Sequence, residues 1–320
     1  MNTATELVIT GLGVISPLGI GVDPFWEALS AGRSGVRLWP EFNQQPVPVH
    51  IYAPVPDFDA KNFIRPRKSI KVMSLAVQMG VAAGVLAGEQ AGHPDGGFDP
   101  DRLGVTYGVD LIHTDLEDVA PPYQASLVDG KFDVSLWTSH AMPEMYPLWM
   151  LKYLPNMPAC HAAIAHDARG PCNTITLGEV SGLVALAEAA RTIQSGRADA
   201  MLVGGALSRI HAWWALRSMS QQHSPEQDHP EQASRPFDLG RDGMVNGEGA
   251  GPLMLESREH AERRGAKIYA RLLGWGNAFE PAPASGRRTG SAVAGSIKQA
   301  LRSADLKPGD LGHVNAHGLS

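Results

Sequence analysis

The sequence predicts an α/β fold in which largely parallel strands alternate with helices. Short runs such as 7–13 (LVITGLG) and 198–206 (ADAMLVGGA) are apolar on both faces, as expected for strands that helices cover on both sides. Longer segments with apolar residues at helical spacing lie between these runs. The chain has 320 residues, of which 43% are hydrophobic, so it is long enough for two domains or one large one.

The N-terminal third is predicted to hold two strands and two helices. The strand 7–13 ends in glycines and is followed by a turn at 16–19 (SPLG). A helix is expected over 23–32, where Gly32 would end it, and a longer helix over 65–90. A second strand is expected at 102–108.

The remaining two thirds are predicted to alternate in the same way. In residues 121–170 the apolar residues show little regular helical or strand periodicity, and the segment is interpreted as loops and short helices that cover a sheet. Arg258–Arg264 is expected to form a solvated helix face. The other predicted elements are a helix at 180–195, the strand 198–206, a polar surface segment at 219–236, sheet segments at 249–256, 266–276 and 311–318, and a helix at 291–304.

Composition excludes several classes of function. The net charge is −6, from 27 basic and 33 acidic residues, whereas a nucleic-acid-binding surface would be basic. No apolar stretch reaches ~18 residues, so no membrane-spanning helix is expected. The N-terminus is not interpreted as a signal peptide. Two cysteines, Cys160 and Cys172, are too few for a disulfide framework and fit a cytoplasmic protein. No cofactor or metal site is predicted.

Four segments, in order along the chain, carry a family pattern. They are VITGLGVISPLG followed by FWEALSAGRSGV, then RGPCNTITLGEVSGLVALAEAARTIQSGRADAMLVGGA, then RPFDLGRDGMVNGEGAGPLMLESREHAERRGAKIYARLLGWG, and finally HVNAHG. Together they resemble the β-ketoacyl-[acyl carrier protein] synthases, most closely the condensing enzymes of type II fatty-acid synthesis. The resemblance spans essentially the whole chain.

The resemblance implies thiolase-like αβαβα layers with an incomplete C-terminal half. Residues 1–256 would form the N-terminal ketoacyl-synthase half and residues 257–320 part of the C-terminal half. Family members usually dimerise through the strand that precedes the nucleophile. Their cysteine holds an acyl chain at a helix N-terminus, where the helix dipole favours the thiolate. Two histidines and backbone N–H groups stabilise the negative charge that develops during decarboxylation and condensation.

The nucleophile position is where this sequence departs from the family. Alignment of RGPCNTITLGE leaves no gap and puts Glu179 on the position of the cysteine, at the start of the helix. An acylated carboxylate would be a mixed anhydride rather than a thioester. We therefore predict that ordinary condensation is lost.

Three interpretations of Glu179 remain open. It can be a non-catalytic acid at a helix start, where a negative charge is worth ~0.3–1 kcal/mol. It can support decarboxylation of malonyl groups, as a neutral amide does in relatives that carry Gln, provided that it is protonated. Burial would raise its pKa and the helix dipole would lower it. The third interpretation is a covalent carboxylate nucleophile.

The end of the sequence is the second departure. His317, in VNAHG, aligns with the first catalytic histidine, but Leu319-Ser320 replace the usual Thr-Ser-Thr. The family's later lysine, second histidine and glycine-rich strand are absent. We expect a second polypeptide to supply them, or the chain to be a fragment or a decayed gene product. Cys172 is expected to be a buried, inert thiol that cannot replace the missing nucleophile.

The main functional hypothesis is a synthase-like protein without condensing activity. It would act in fatty-acid or polyketide assembly as the partner of an active ketosynthase, as chain-length factors do. The alternatives are a malonyl-acyl-carrier-protein decarboxylase and a family member without any acyl chemistry. The expected partners are an acyl carrier protein and either a second ketosynthase subunit or another copy of the chain; neither nucleic acid nor a membrane is expected.

Overall fold

A computed structural model describes residues 5–40, 49–217, 222–281 and 290–318. The described strands are β1 (Leu7–Leu12), β2 (Ile15–Ser16), β3 (Gly19–Ile20), β4 (Arg37–Leu38), β5 (Ile51–Ala53), β6 (Leu103–Gly108), β7 (Leu127–Val128), β8 (Lys131–Phe132), β9 (Cys172–Ile175), β10 (Ala200–Ser208), β11 (Asn246–Ala250), β12 (Leu253–Ser257) and β13 (Ala270–Leu272). The described α-helices are α1 (Val22–Ser30), α2 (Leu75–Ala91), α3 (Leu116–Ala125), α4 (Met142–Glu144), α5 (Met157–Ala165), α6 (Ser181–Gln194), α7 (Ala212–Arg217), α8 (Arg258–Arg263) and α9 (Ser291–Ser303).

Six strands form the body of a mixed sheet, side by side in the order β13, β1, β12, β10, β6 and β9. Strands β10, β6 and β9 are parallel to one another, with Gly205 opposite Gly108 and Gly108 opposite Ile175. The pairs on the β1 side are antiparallel. The prediction of a largely parallel sheet is therefore wrong. Apolar residues on both faces report burial by helices on both sides, and they carry no information on strand direction.

Helices cover both faces of this sheet. On one face, α2 and α5 pack against β1, β6 and β10 around side chains such as Val77, Val105 and Leu202. On the other face, α6 packs against β6, β10 and β12, and its Ala189 contacts a cluster with Met201. Alternate residues of β10 thus enter opposite cores, as the pleat of a strand requires. The layered α/β architecture is confirmed.

The long N-terminal helix starts later than its apolar pattern predicts. Residues Arg67–Val72 form a 3-10 helix, and α2 begins only after Ser74, whose hydroxyl accepts a hydrogen bond from the Val77 amide. A serine in this position satisfies one of the free N–H groups of the first turn. Spacing alone does not reveal this interruption, because the residues before and after Ser74 are apolar at compatible positions.

The segments predicted as strands near the C-terminus are shorter than expected, and one is absent. The segment 249–256 is divided into β11 and β12 at Gly251-Pro252, where the chain crosses Gly204 so closely that a Cβ on Gly204 would lie 2.3 Å from the Pro252 Cα. The segment 266–276 contributes the three residues of β13, which pair with β1. Residues 311–318 are not a strand, and the prediction there is wrong.

Two segments predicted to lie in solvent are partly buried. Ala233, in the polar segment 219–236, packs with Val36 and Ile51; residues 219–221 of that segment lie outside the described residues. Arg264, at the end of α8, turns inward and binds the fully buried carboxylate of Glu256. None of the described helices has the length and apolar character needed to cross a membrane.

Candidate functional site

The site lies where the three parallel strands end. Asp110 follows β6, Glu179 follows β9 and Arg209 follows β10 directly. The carboxyl ends of parallel strands meet at one edge of a sheet, so these three side chains converge although they are far apart in sequence. This edge is the usual position of a functional site in an α/β sheet.

Glycines place the start of helix α6 against the sheet. A Cβ on Gly108, the last residue of β6, would lie 2.2 Å from the carbonyl carbon of Ser181, so only a glycine allows this approach. Gly178 has a φ of +60°, which lets the chain turn sharply before the helix. The Ser181 hydroxyl accepts a hydrogen bond from the Leu177 amide at 2.8 Å and donates one to the Gly178 carbonyl at 2.6 Å. These contacts fix the turn that carries Glu179.

Each oxygen of the Glu179 carboxylate has a partner. Oε1 accepts hydrogen bonds from the two terminal nitrogens of Arg209, at 3.3 and 3.4 Å. Oε2 lies 3.1 Å from Nε2 of His317. The side chain is nevertheless 41% exposed, so the helix start is open rather than buried. The two residues singled out from the sequence, Glu179 and His317, are thus brought together.

Arg209 is the best-buried member of this cluster. Its side chain is only 20% exposed. Besides Glu179, it faces the Asp110 carboxylate at 3.9 Å, and its guanidinium carbon lies 4.9 Å from the centre of the Trp214 ring. The contacts with an anion and with an aromatic face hold the guanidinium in this position.

A cavity of about 320 Å³ lies beside these charged groups. Its lining includes glycines from β6, β10, β11 and the start of α6, where no side chain covers the backbone. Such a lining lets a flat or extended group approach the main chain closely. Asp110, Glu179 and Arg209 supply its charged groups. Within the described ranges, no group of three or more His, Cys, Asp or Glu side chains is arranged to hold a metal ion.

Comparison with known proteins gives the family of this site. Residues 4–261 match the family model described as the N-terminal domain of β-ketoacyl synthases. The chain is also 34% identical to 3-oxoacyl-[acyl-carrier-protein] synthase 2 of Vibrio cholerae, over 98% of its own length and 73% of that relative's.

The chain belongs to the β-ketoacyl synthase family. Polyketide β-ketoacyl synthases are also among its relatives. Two solved structures have the same fold. A β-ketoacyl synthase from Burkholderia phymatum superimposes with a TM-score of 0.83 at 30% identity, covering 98% of this chain and 74% of that one. The ishigamide ketosynthase/chain length factor gives a TM-score of 0.79 at 28% identity, with 99% and 74% covered. The thiolase-like fold inferred from the motifs is confirmed.

Neither cysteine of this β-ketoacyl synthase relative is placed to act as the nucleophile. Cys172 begins β9, and Cys160 lies on α5. The expectation that Cys172 is buried is wrong, because β9 lies at the edge of the sheet and leaves this side chain exposed. Partial desolvation and the nearby Cys160 raise the pKa of the Cys172 thiol. The thiol is therefore mostly neutral at physiological pH and is not activated.

Sequence reasoning missed Asp110 and Arg209. A signal was available, since a charged residue directly after a buried parallel strand points to the functional edge of the sheet. The family motifs do not reveal Arg209, because the matching segment ends at Ala206, three residues before it. The replaced loop residues Leu319 and Ser320 lie outside the described residues.

Proposed function

We propose that this chain is a non-condensing member of the β-ketoacyl synthase family and works as the partner subunit of an active ketosynthase. One observation carries the proposal. The group at the start of helix α6, at the position that the motif alignment assigns to the family's nucleophile, is a carboxylate whose two oxygens face Arg209 and His317. Nothing in this arrangement leaves a free nucleophile at that position.

The chemistry of the cluster argues against acyl transfer through Glu179. A guanidinium only donates hydrogen bonds, so Oε1 accepts them from Arg209 and its lone pairs are engaged there. Attack by Glu179 on a thioester would require it to leave Arg209 or His317 and would give a mixed anhydride. A carboxylate also lacks the nucleophilicity of a thiolate at neutral pH. Both effects lower the rate of acylation.

A partner subunit is supported by the edge of the sheet and by one solved relative. Among the described strands, β9 pairs only with β6, so its outer edge carries unpaired backbone groups of the kind that add a strand from another chain. The ishigamide protein is named as a ketosynthase with a chain length factor. We propose the same kind of assembly here, acting in the cytoplasm on acyl chains held by an acyl carrier protein. Residues 1–256 would form the ketoacyl-synthase half and residues 257–320 part of the second half.

Co-expression with a catalytically competent ketosynthase of the same source tests this function. We expect the two chains to co-purify and the complex to elongate an acyl chain from malonyl-carrier protein, while this chain alone gives no condensation product. The matched control is the ketosynthase with its own cysteine replaced by Ala, which should abolish condensation by the complex. A stable homodimer that condenses without a partner would overturn the proposal.

One observation favours a second candidate, the decarboxylation of malonyl-carrier protein. Nε2 of His317 lies 3.1 Å from the carboxylate of Glu179, which lines the cavity, and an imidazole N–H turned from that carboxylate towards a substrate would donate to the oxygen of a forming enolate. The test is release of acetyl-carrier protein from malonyl-carrier protein. Glu179→Gln should raise the rate if protonation of Glu179 limits it. Unchanged turnover in Glu179→Ala would remove Glu179 from the mechanism.

A further inference from the structure

We propose that Arg209 is a second determinant of the altered site, a fixed cation that holds an anion at position 179 and closes the helix start to neutral acyl groups. The inference rests on the proposed non-condensing function and explains how the site is kept in that state. It assigns a positioning role to Arg209, which acts through Glu179.

The position of Arg209 is set by the backbone and independently of Glu179. Arg209 follows β10 directly, and its amide donates a hydrogen bond to the Gly247 carbonyl at 3.0 Å. Its guanidinium lies over the Trp214 ring and beside Asp110. With the side chain 20% exposed, few other directions are open to it. The cation would therefore remain beside position 179 after Glu179 is replaced.

The charged groups that face position 179 come from several elements. Arg209, directly after β10, and His317, in the segment after α9, contact Glu179, and the N-terminus of α6 adds its partial positive charge. Asp110, after β6, contacts Arg209 and lines the same cavity. Arg209 is the permanent cation in this set of described residues. An anion is favoured at position 179 chiefly because of Arg209, and a neutral thioester would have to displace the ion pair.

This arrangement predicts that a cysteine introduced at position 179 would be reactive. If Glu179 is replaced by Cys, the new thiol lies at a helix start with a guanidinium beside it, a combination that stabilises thiolates. An opposite charge within about 4–6 Å lowers a pKa by roughly one unit or more. The variant Glu179→Cys should therefore be alkylated at a lower pH than an ordinary cysteine, and removal of Arg209 should reverse this.

The test is the pH profile of alkylation by iodoacetamide, an uncharged reagent, with peptide mass spectrometry to separate position 179 from Cys160 and Cys172. In Glu179→Cys we expect the midpoint of labelling to lie below that of the Cys172 thiol of the same protein. Adding Arg209→Gln should raise the midpoint by about one pH unit, whereas adding Arg209→Lys should largely preserve it. Adding Arg197→Gln, which removes a cation at the far end of α6, should leave it unchanged.

Two outcomes of the labelling experiment with the double variants would overturn the inference. One is the same midpoint with and without Arg209, and the other is an equal shift for Arg209→Gln and Arg197→Gln, which would reflect net charge alone. If the double variant Glu179→Cys with Arg209→Gln does not fold, the labelling midpoint of Glu179→Cys alone can be measured at several salt concentrations. Between about 0.05 and 1 M salt the midpoint should rise as the ion pair is screened, and a constant midpoint would contradict the role of Arg209. These readouts do not depend on condensation, so they can fail or succeed independently of the proposed function.

Discussion

Two clusters in this protein combine glutamate, histidine and arginine, and they differ in burial. Glu256 on β12 is fully buried and receives hydrogen bonds from His260 at 2.6 Å, from Arg264 at 2.5 and 2.9 Å, and from Thr10. Glu179 is 41% exposed and has longer contacts with its own arginine and histidine. The same residue types therefore serve in one place to hold helix α8 against the sheet and in the other to line an open cavity.

Burial decides what each cluster contributes. A charge in the interior must be paired, because water cannot solvate it, and loss of one partner leaves the others uncompensated. An exposed pair exchanges its partner for water at little cost. The buried cluster also ties α8 to the end of helix α2, since Arg264 donates to the Ala91 carbonyl at 2.8 Å and stacks over Phe98. Substitution in the open cluster should therefore cost less stability than substitution in the buried cluster.

The largest expected effect is on stability. Glu256→Gln would leave the Arg264 charge buried without its counter-ion, and we expect the free energy of unfolding to fall by about 3–5 kcal/mol. The matched control is Glu179→Gln, for which we expect a change within about 1 kcal/mol because the pair is exposed. Urea denaturation of both variants measures the difference. Equal effects at the two positions would contradict the comparison.

The pH dependence of stability sharpens the same contrast. Burial opposes the charge of Glu256, but hydrogen bonds from Arg264, His260 and Thr10 outweigh it and hold the pKa of this carboxyl below its ordinary value of 4.5. A lowered folded-state pKa means that the stabilisation is complete above the unfolded-state pKa and is lost as the pH falls through the folded-state value. The stability gap between the wild-type protein and Glu256→Gln should therefore narrow only on acidification below about pH 4.5. A gap that is constant from pH 7 to pH 3 would argue against this linkage.

Glycine substitutions test whether the backbone rather than the ion pair positions the open site. Gly108→Ala places a methyl group against the backbone of Ser181, and such overpacking costs about 1–3 kcal/mol and would displace the start of α6. A Cβ on Gly182, which also lines the cavity, would meet no atom within 4 Å. Gly182→Ala should be neutral or stabilise by up to about 1 kcal/mol. Thermal unfolding of the two variants distinguishes them, and similar losses would refute this assignment.

The smallest expected effect is the coupling between Glu179 and Arg209. A double-mutant cycle with Glu179→Gln and Arg209→Gln should give a coupling free energy of about 1 kcal/mol, at the upper end of the values for exposed pairs. It should decrease when the salt concentration rises towards 1 M, because the pair is open to ions. A coupling of several kcal/mol that does not respond to salt would mean that this pair is in effect buried.

The sequence by itself determined the family, the αβαβα layering that the family implies and the two residues first assigned to the site. Strands β1, β6 and β10 were predictable because each is a continuous apolar run, and helix α6 because its periodicity and its final glycine are local features. Glu179 was identified by gap-free spacing within one motif. His317 was identified by the motif around it. All of these signals lie within a few neighbouring residues.

The tertiary structure alone decided which distant residues meet and which of them are buried. Arg209 joins Glu179 because β9 and β10 run parallel and end at the same edge, and Arg264 enters the interior because β12 presents Glu256 beneath helix α8. Strand direction likewise followed from long-range pairing. Local spacing records how a segment can fold, whereas the environment of a charge depends on the segments that pack around it. Two glutamates that look alike in the sequence therefore differ in solvation, and solvation sets what each can do.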